Sequence, residues 1–152
     1  MALQESIGEP EIGSQGTGEE FYSWCAREEL RLRRCNACRE WCHVPRVTCP
    51  NCISTDWAWE RVKGTGRVFT WTVVHRAMHP AFTEDVPYAV VVVELDEGPR
   101  LVSGIVDCPL EELVMEMSVE VVFERSDRLG ERVLPRFRRT SQSASQSAEG
   151  RT

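Results

Sequence analysis

Two Cys-x2-Cys pairs, separated by ten residues, lie in the stretch CNACREWCHVPRVTCPNC from Cys35 to Cys52. The stretch holds five of the chain's seven cysteines. Four thiolates, at Cys35, Cys38, Cys49 and Cys52, can surround one tetrahedral ion and leave no position open, the signature of a structural zinc site. Each turn aims two sulfurs at one point, and a hairpin through REWCHVPRVT brings the second turn opposite the first. The spacer is shorter than the roughly fifteen to twenty residues of the commoner pattern, which short-hairpin ribbons tolerate. A lobe of about forty residues cannot bury enough apolar surface to fold alone. Metal binding contributes about 10–16 kcal/mol in apparent terms, so the ion is expected to staple this lobe. Cys42 and His43 sit inside the hairpin as rival ligands, and a Cys38/Cys42 pairing is the alternative set. Cys25 and Cys108 are most simply small buried hydrophobes.

Around the knuckles the pattern is mainly β. Phe21, Trp24, Cys25 and Glu28 fall at helical spacing and predict a short amphipathic helix. ELRLRRC then alternates as a strand into the first knuckle. After Cys52 come DWAWERV, GRVFTWTVVHR, PYAVVVVELD, RLVSGIVD, VEVVFERS and ERVLPRFRR, broken at KGTG, DEGP and DRLG. Between RLVSGIVD and VEVVFERS, the Pro109 segment CPLEELVMEM suits one or two helical turns. Five strands from Gly66 onward, with one helical insert after the third, predict a closed barrel of the OB type. The expected organisation is a disordered tail at 1–18, helix and ribbon at 19–62, an OB domain at 63–139 and a disordered tail at 140–152.

Charge narrows the function. The net charge of −6 argues against a grip on phosphate backbone, which Lys and Arg would have to neutralise. Nucleic acid is therefore not an expected partner. Arg27, Arg31, Arg33, Arg34, Arg39 and Arg46 crowd the ribbon, and Arg136, Arg138 and Arg139 the last strand. They suit a solvated surface, or a site for a compact anion such as a CoA nucleotide. The longest apolar run, YAVVVVEL, has strand length, so no membrane span is expected. The N-terminal stretch lacks the regions of a signal peptide, and the expected location is the cytoplasm.

No self-sufficient catalytic group emerges. His75 and His79 share a loop with Glu84 and Asp85, and a His–carboxylate pair can act as acid or base. The simpler reading is a partner-facing loop. GTG at Gly64 to Gly66 lacks the Lys-Ser/Thr and following helix of a phosphate loop. Trp24, Trp41, Trp57, Trp59 and Trp71 are either interface anchors or core.

FYSWCAREELRLRRCNAC, CPNC, GTGRVFTWTVVHRAMHPAF, VPYAVVVVELDEGPRLVSGIV and LPRFR together resemble a known family, over roughly Glu19 to Arg138. It is the acyl-CoA-associated family joining an N-terminal helix, a rubredoxin-like zinc ribbon and an OB fold, long catalogued as a domain of unknown function. The Cys42–His43 pair departs from its pattern. The resemblance implies structural Zn2+ on Cys35, Cys38, Cys49 and Cys52. It implies a small non-catalytic subunit of a thiolase-like enzyme, with a lipid-transfer-protein-type catalytic partner in a two-plus-two heterotetramer. The complex would make or cleave a carbon–carbon bond in an acyl-CoA, by thiolysis or retro-aldol cleavage, as in steroid side-chain or aromatic-compound degradation. The small subunit would serve assembly and shape the substrate channel. Two other readings stand beside it: a free-standing acyl-CoA-binding module, and a single-strand nucleic-acid-binding OB protein. Which acyl-CoA is used, and what Cys42, His43, His75 and His79 do, the sequence leaves open.

Overall fold

The computed structural model describes residues 17–141. One helix, α1 (Thr17–Cys25), precedes eight strands: β1 (Arg31–Cys35), β2 (Trp41–Cys42), β3 (Trp57–Arg61), β4 (Thr65–Val74), β5 (Tyr88–Leu95), β6 (Arg100–Val106), β7 (Ser118–Ser126) and β8 (Arg132–Arg139). The first three form a sheet in the order β2-β1-β3, and the last five close into a barrel in the order β4-β5-β6-β8-β7. The mainly β class and the five-stranded barrel expected from the strand pattern are both present. The tails expected to lack structure lie largely outside the described residues, although Thr17 and Gly18 already belong to α1.

Alternation explains the barrel. In β5, Ala89, Val91, Val93 and Leu95 are buried while the residues between them are partly exposed. β5 pairs antiparallel with β4 and β6, and Phe69 falls where the β4–β5 register shifts between Val68 and Thr70. Closure comes from a short parallel pairing of β6 with β8, Ile105 with Phe137 and Val106 with Arg138. Phe137 is fully buried there. The Pro109 insert is shorter than a helix: a single 3-10 turn spans Leu110–Glu112. The following segment is pinned to β4 instead, Glu116 N–H donating to Val68 O and Val68 N–H to Met117 O, each at 2.9 Å. That leaves Leu113 and Met117 buried in the core.

The helix also differs from its expected span. It stops at Cys25, and Glu28 lies beyond it at φ 58. Glu29 N–H returns to Trp24 O, which reverses the chain into β1 and lets Leu30 and Leu32 point into the core. α1 touches both sheets. Trp59 Nε1 of β3 donates to Glu20 at 2.6 Å, and Arg132 of β8 donates to Glu19 at 2.9 Å. Phe21, Cys25, Leu30, Leu32 and Val62 belong to the same buried cluster as the barrel's Val68, Val91 and Phe137. Ribbon and barrel thus share one core, with the helix between them. No helix among the described residues is long and apolar enough to cross a membrane.

Candidate metal centre

The sulfurs of Cys35, Cys38, Cys49 and Cys52 all lie within 4.8 Å of one another. Cys35 and Cys52 are 3.6 Å apart, and Cys38 and Cys49 are 3.5 Å apart. A tetrahedron of sulfurs about 2.3 Å from an ion has edges of about 3.8 Å, so the set fits one metal. A disulfide would need about 2.05 Å, and all seven cysteines are free. The four cysteines can therefore hold a metal ion.

Local backbone builds this cluster. β1 delivers Cys35 and the turn after it Cys38, and the second turn repeats the arrangement with Cys49 and Cys52. Cys35 N–H donates to Glu40 O at 2.9 Å and Cys49 N–H to Ser54 O at 2.8 Å. Donors aimed at sulfur favour the thiolate. The Cys38 N–H lowers the Cys35 thiol. The Asn51 side chain, followed by the Glu40 N–H, lowers Cys38 to about 6. The Ser54 N–H also lowers Cys52, but the sulfur of Cys38, burial, and the sulfurs of Cys35 and Cys49 outweigh it and push Cys52 up to about 12. Four negative sulfurs at this spacing repel, and a divalent cation is what lets all four ionise together. Asn51 is a residue that the spacing argument passed over. Its place inside CPNC, between two candidate ligands, was the available signal.

The rival ligands are elsewhere. Cys42 is buried, and its thiol donates to Val44 O at 3.3 Å. His43 packs on Phe21 of α1, ring centroids 5.6 Å apart, and burial pushes its imidazole down to about 4. Cys25 is fully buried as expected, and burial raises its thiol to about 12. Cys108 is only partly buried, because it follows β6 rather than lying within it.

In the loop that offered an acid–base pair as the alternative reading, His79 and Asp85 are engaged elsewhere. His79 Nδ1 accepts from Ala81 N–H at 3.1 Å and caps a 3-10 turn, while Asp85 is held by Arg128. Three of the six ribbon arginines are taken up by carboxylates. Arg34 and Arg39 both bond Glu60, and Arg31 bonds Glu29. Glu60 and Glu29 are lowered by these partners, Arg34 first for Glu60 and Arg31 for Glu29. Arg136, Arg138 and Arg139 pair with Glu124, Glu120 and Glu112. Trp41, Trp59 and Trp71 pack, partly buried, against the core, and three of the five tryptophans carry guanidinium groups on their rings. Trp24 lies under Arg27 and Arg31, Trp41 under Arg34 and Trp57 under Arg33, at 4.2–4.9 Å to the ring centroid.

A groove of about 730 Å³ runs between the β4–β5 loop, the end of β6 and the β7–β8 hairpin, with Tyr22, Phe82, Tyr88, Ile105, Leu134 and Arg136 in its walls. Arg128 ties the two loops by donating to Ala81 O at 2.9 Å. Its size falls in the range of small-molecule sites.

Residues 59–124 match the family described as ChsH2, C-terminal OB-fold domain. A probable enoyl-CoA hydratase alpha subunit from Thermomonospora curvata is 38% identical over 118 residues, 78% of this chain. A DUF35 domain-containing scaffold protein from Methanocaldococcus jannaschii is 38% identical over 93 residues, 60% of this chain. The chain spans only 36% of the first relative's length and 65% of the second's. A solved structure titled Ltp2-ChsH2(DUF35) aldolase contains a chain that is 34% identical, with a TM-score of 0.74, covering 84% of this chain and 97% of that one. Sequence and fold agree along nearly the whole of that DUF35 chain, and the protein described here belongs to the DUF35/ChsH2 family.

Proposed function

We propose that this chain is a non-catalytic accessory subunit of a thiolase-like enzyme complex that makes or cleaves a carbon–carbon bond in an acyl-CoA. The observation that carries the reading is the likeness over 97% of the DUF35 chain in the Ltp2-ChsH2 aldolase. The residues agree with it: a cysteine cluster suited to a structural metal, with His79 capping a turn and His43 packed on Phe21. In this reading zinc occupies Cys35, Cys38, Cys49 and Cys52 and holds the ribbon, residues 19–62, against the barrel, residues 63–139. A lipid-transfer-protein-type partner supplies the catalytic residues, two chains of each kind assemble, and this chain shapes the substrate channel. Thiolysis and retro-aldol cleavage are both compatible with it. The test is reconstitution. The isolated chain should turn over no acyl-CoA thioester, and adding it to the purified partner should restore turnover in proportion to complex formed. Turnover by the isolated chain, or full activity of the partner alone, would overturn the proposal.

The groove favours a second reading, a stand-alone acyl-CoA-binding module, since it has the volume of a small-molecule site and the apolar walls Phe82, Tyr88, Ile105 and Leu134, with Arg125, Arg128 and Arg136 balanced by Asp85, Glu124 and Asp127. Calorimetric titration of the isolated chain with a CoA thioester separates the two. Micromolar binding without partner supports the module.

A further inference from the structure

Three of the large exposed apolar side chains lie on the segment that enters and leaves the second knuckle: Val44 at 70%, Val47 at 81% and Ile53 at 76% exposed. Val47 precedes Cys49 by two residues and Ile53 follows Cys52 directly. Ile53 N–H donates to Cys49 O at 2.9 Å, which folds Ile53 back beside the start of the same knuckle. The loop is held in place from below. Trp57 Nε1 donates to Val47 O at 3.1 Å, and Arg33 donates to Arg46 O at 3.0 Å. A surface fixed in advance loses little entropy when it is covered.

Ile53 breaks two local rules at once. It is β-branched, yet stands at φ 64, where Gly or Asn is the unstrained choice. It is also exposed, so no packing inside the chain offsets that cost. A residue that local physics disfavours, with no internal compensation, points to a use outside the chain.

Charge indicates what would cover it. From Trp41 to Thr55 there is no Asp or Glu, in a chain that carries 24. The guanidinium of Arg46 makes no ion pair with any described residue, and Arg33 stacks over Trp57 at 4.9 Å. The exposed Val114 and Met115 differ, since they are framed by Glu111, Glu112 and Glu116.

We propose that this second-knuckle face, Val44, Val47 and Ile53 bordered by Arg46, is where the thiolase-like partner seats, and that the partner presents an apolar recess edged with carboxylates. The inference rests on the accessory-subunit reading and gives it a location.

The test uses the full chain and the purified thiolase-like partner, with association and dissociation rates, metal content and melting temperature measured for each variant. Val47→Asp and Ile53→Asp should each weaken binding at least ~30-fold, mainly through faster dissociation. Arg46→Glu should slow association ~10-fold at low salt, an effect that fades as salt rises. Ile53→Asn should weaken binding without lowering the melting temperature. Val102→Asp, on the barrel, should leave affinity within about twofold. All variants should keep their metal. Wild-type affinity in Val47→Asp and Ile53→Asp would overturn the face while leaving the accessory-subunit reading intact. An unchanged association rate in Arg46→Glu would overturn the carboxylate edge. A wild-type dimer in ultracentrifugation that Val47→Asp dissociates, with partner affinity unchanged, would assign the face to a second copy and overturn the proposal. A wild-type chain that forms no complex would overturn the accessory-subunit reading, and this inference with it.

Discussion

Arg39 and Ile53 occupy the same place in the two knuckles. Each follows the second cysteine of its pair, each stands at φ 64, and each donates its N–H to the carbonyl of the first cysteine, at 3.0 and 2.9 Å. The two turns are copies in backbone and differ in what the copied position carries. Arg39 reaches Glu60 at 2.5 Å, whereas Ile53 meets solvent. Ile53→Asn should therefore raise stability by about 1 kcal/mol by relieving the left-handed strain. Arg39→Asn should gain less, since it also loses the Glu60 partner. Denaturant midpoints of the metal-loaded chain, compared at constant slope, decide this.

On the proposed reading, a metal at the four cysteines holds the smaller lobe. Cys35→Ser or Cys52→Ser should release the ion, unfold residues 29–56 and abolish assembly, because the ribbon's share of the core is small without it. Metal analysis, with the near-ultraviolet dichroism of Trp41 and Trp57, measures both effects. A metal-free variant that kept native dichroism and assembled normally would contradict the staple.

In the barrel, Phe137→Ala should cost about 3–5 kcal/mol, since the ring is fully buried where β6 and β8 close the sheet. Gly66→Ala should cost about 1–3 kcal/mol or more: a Cβ there would stand 2.3 Å from Glu94 O, a backbone atom that cannot step aside. Urea unfolding monitored at several probes would check both, and the loss should reach α1 because helix, ribbon and barrel share one core.

His43 should stay neutral well below the usual imidazole range. Burial lowers it from 6.5 to about 4, so between those values the folded chain binds fewer protons than the unfolded one. Its contribution to stability is full above 6.5 and is lost as pH falls through the window toward 4. An NMR titration of the imidazole should show a neutral ring at about pH 5.5, and His43→Phe should flatten that part of the stability profile. A ring protonated near 6.5 would contradict the packing against Phe21.

Much of this was legible in the sequence because the signals were periodic or spaced. The alternation in YAVVVVEL gave β5 its buried face, and the Cys-x2-Cys spacing brought together the four sulfurs. The misses share a cause, tertiary contact overriding local pattern. The seam through Glu28 looked helical, but the chain must reverse there to bury Leu30 and Leu32. CPLEELVMEM looked helical, but its backbone is drawn onto β4 at Val68, leaving one 3-10 turn. The clustered arginines looked available, yet Glu60, Glu120 and Glu124, distant in sequence from their partners, take several of them. The positive φ of Ile53 could not be read from composition, because Ile is the residue type least expected there.

The most direct measurement is to recover the tagged, metal-loaded chain from its native host under mild conditions and determine the mass and composition of what accompanies it. A thiolase-like protein in a one-to-one ratio, in a particle with two copies of each, is the expected result. A chain that emerges alone, folded and with its metal, would contradict the accessory-subunit reading.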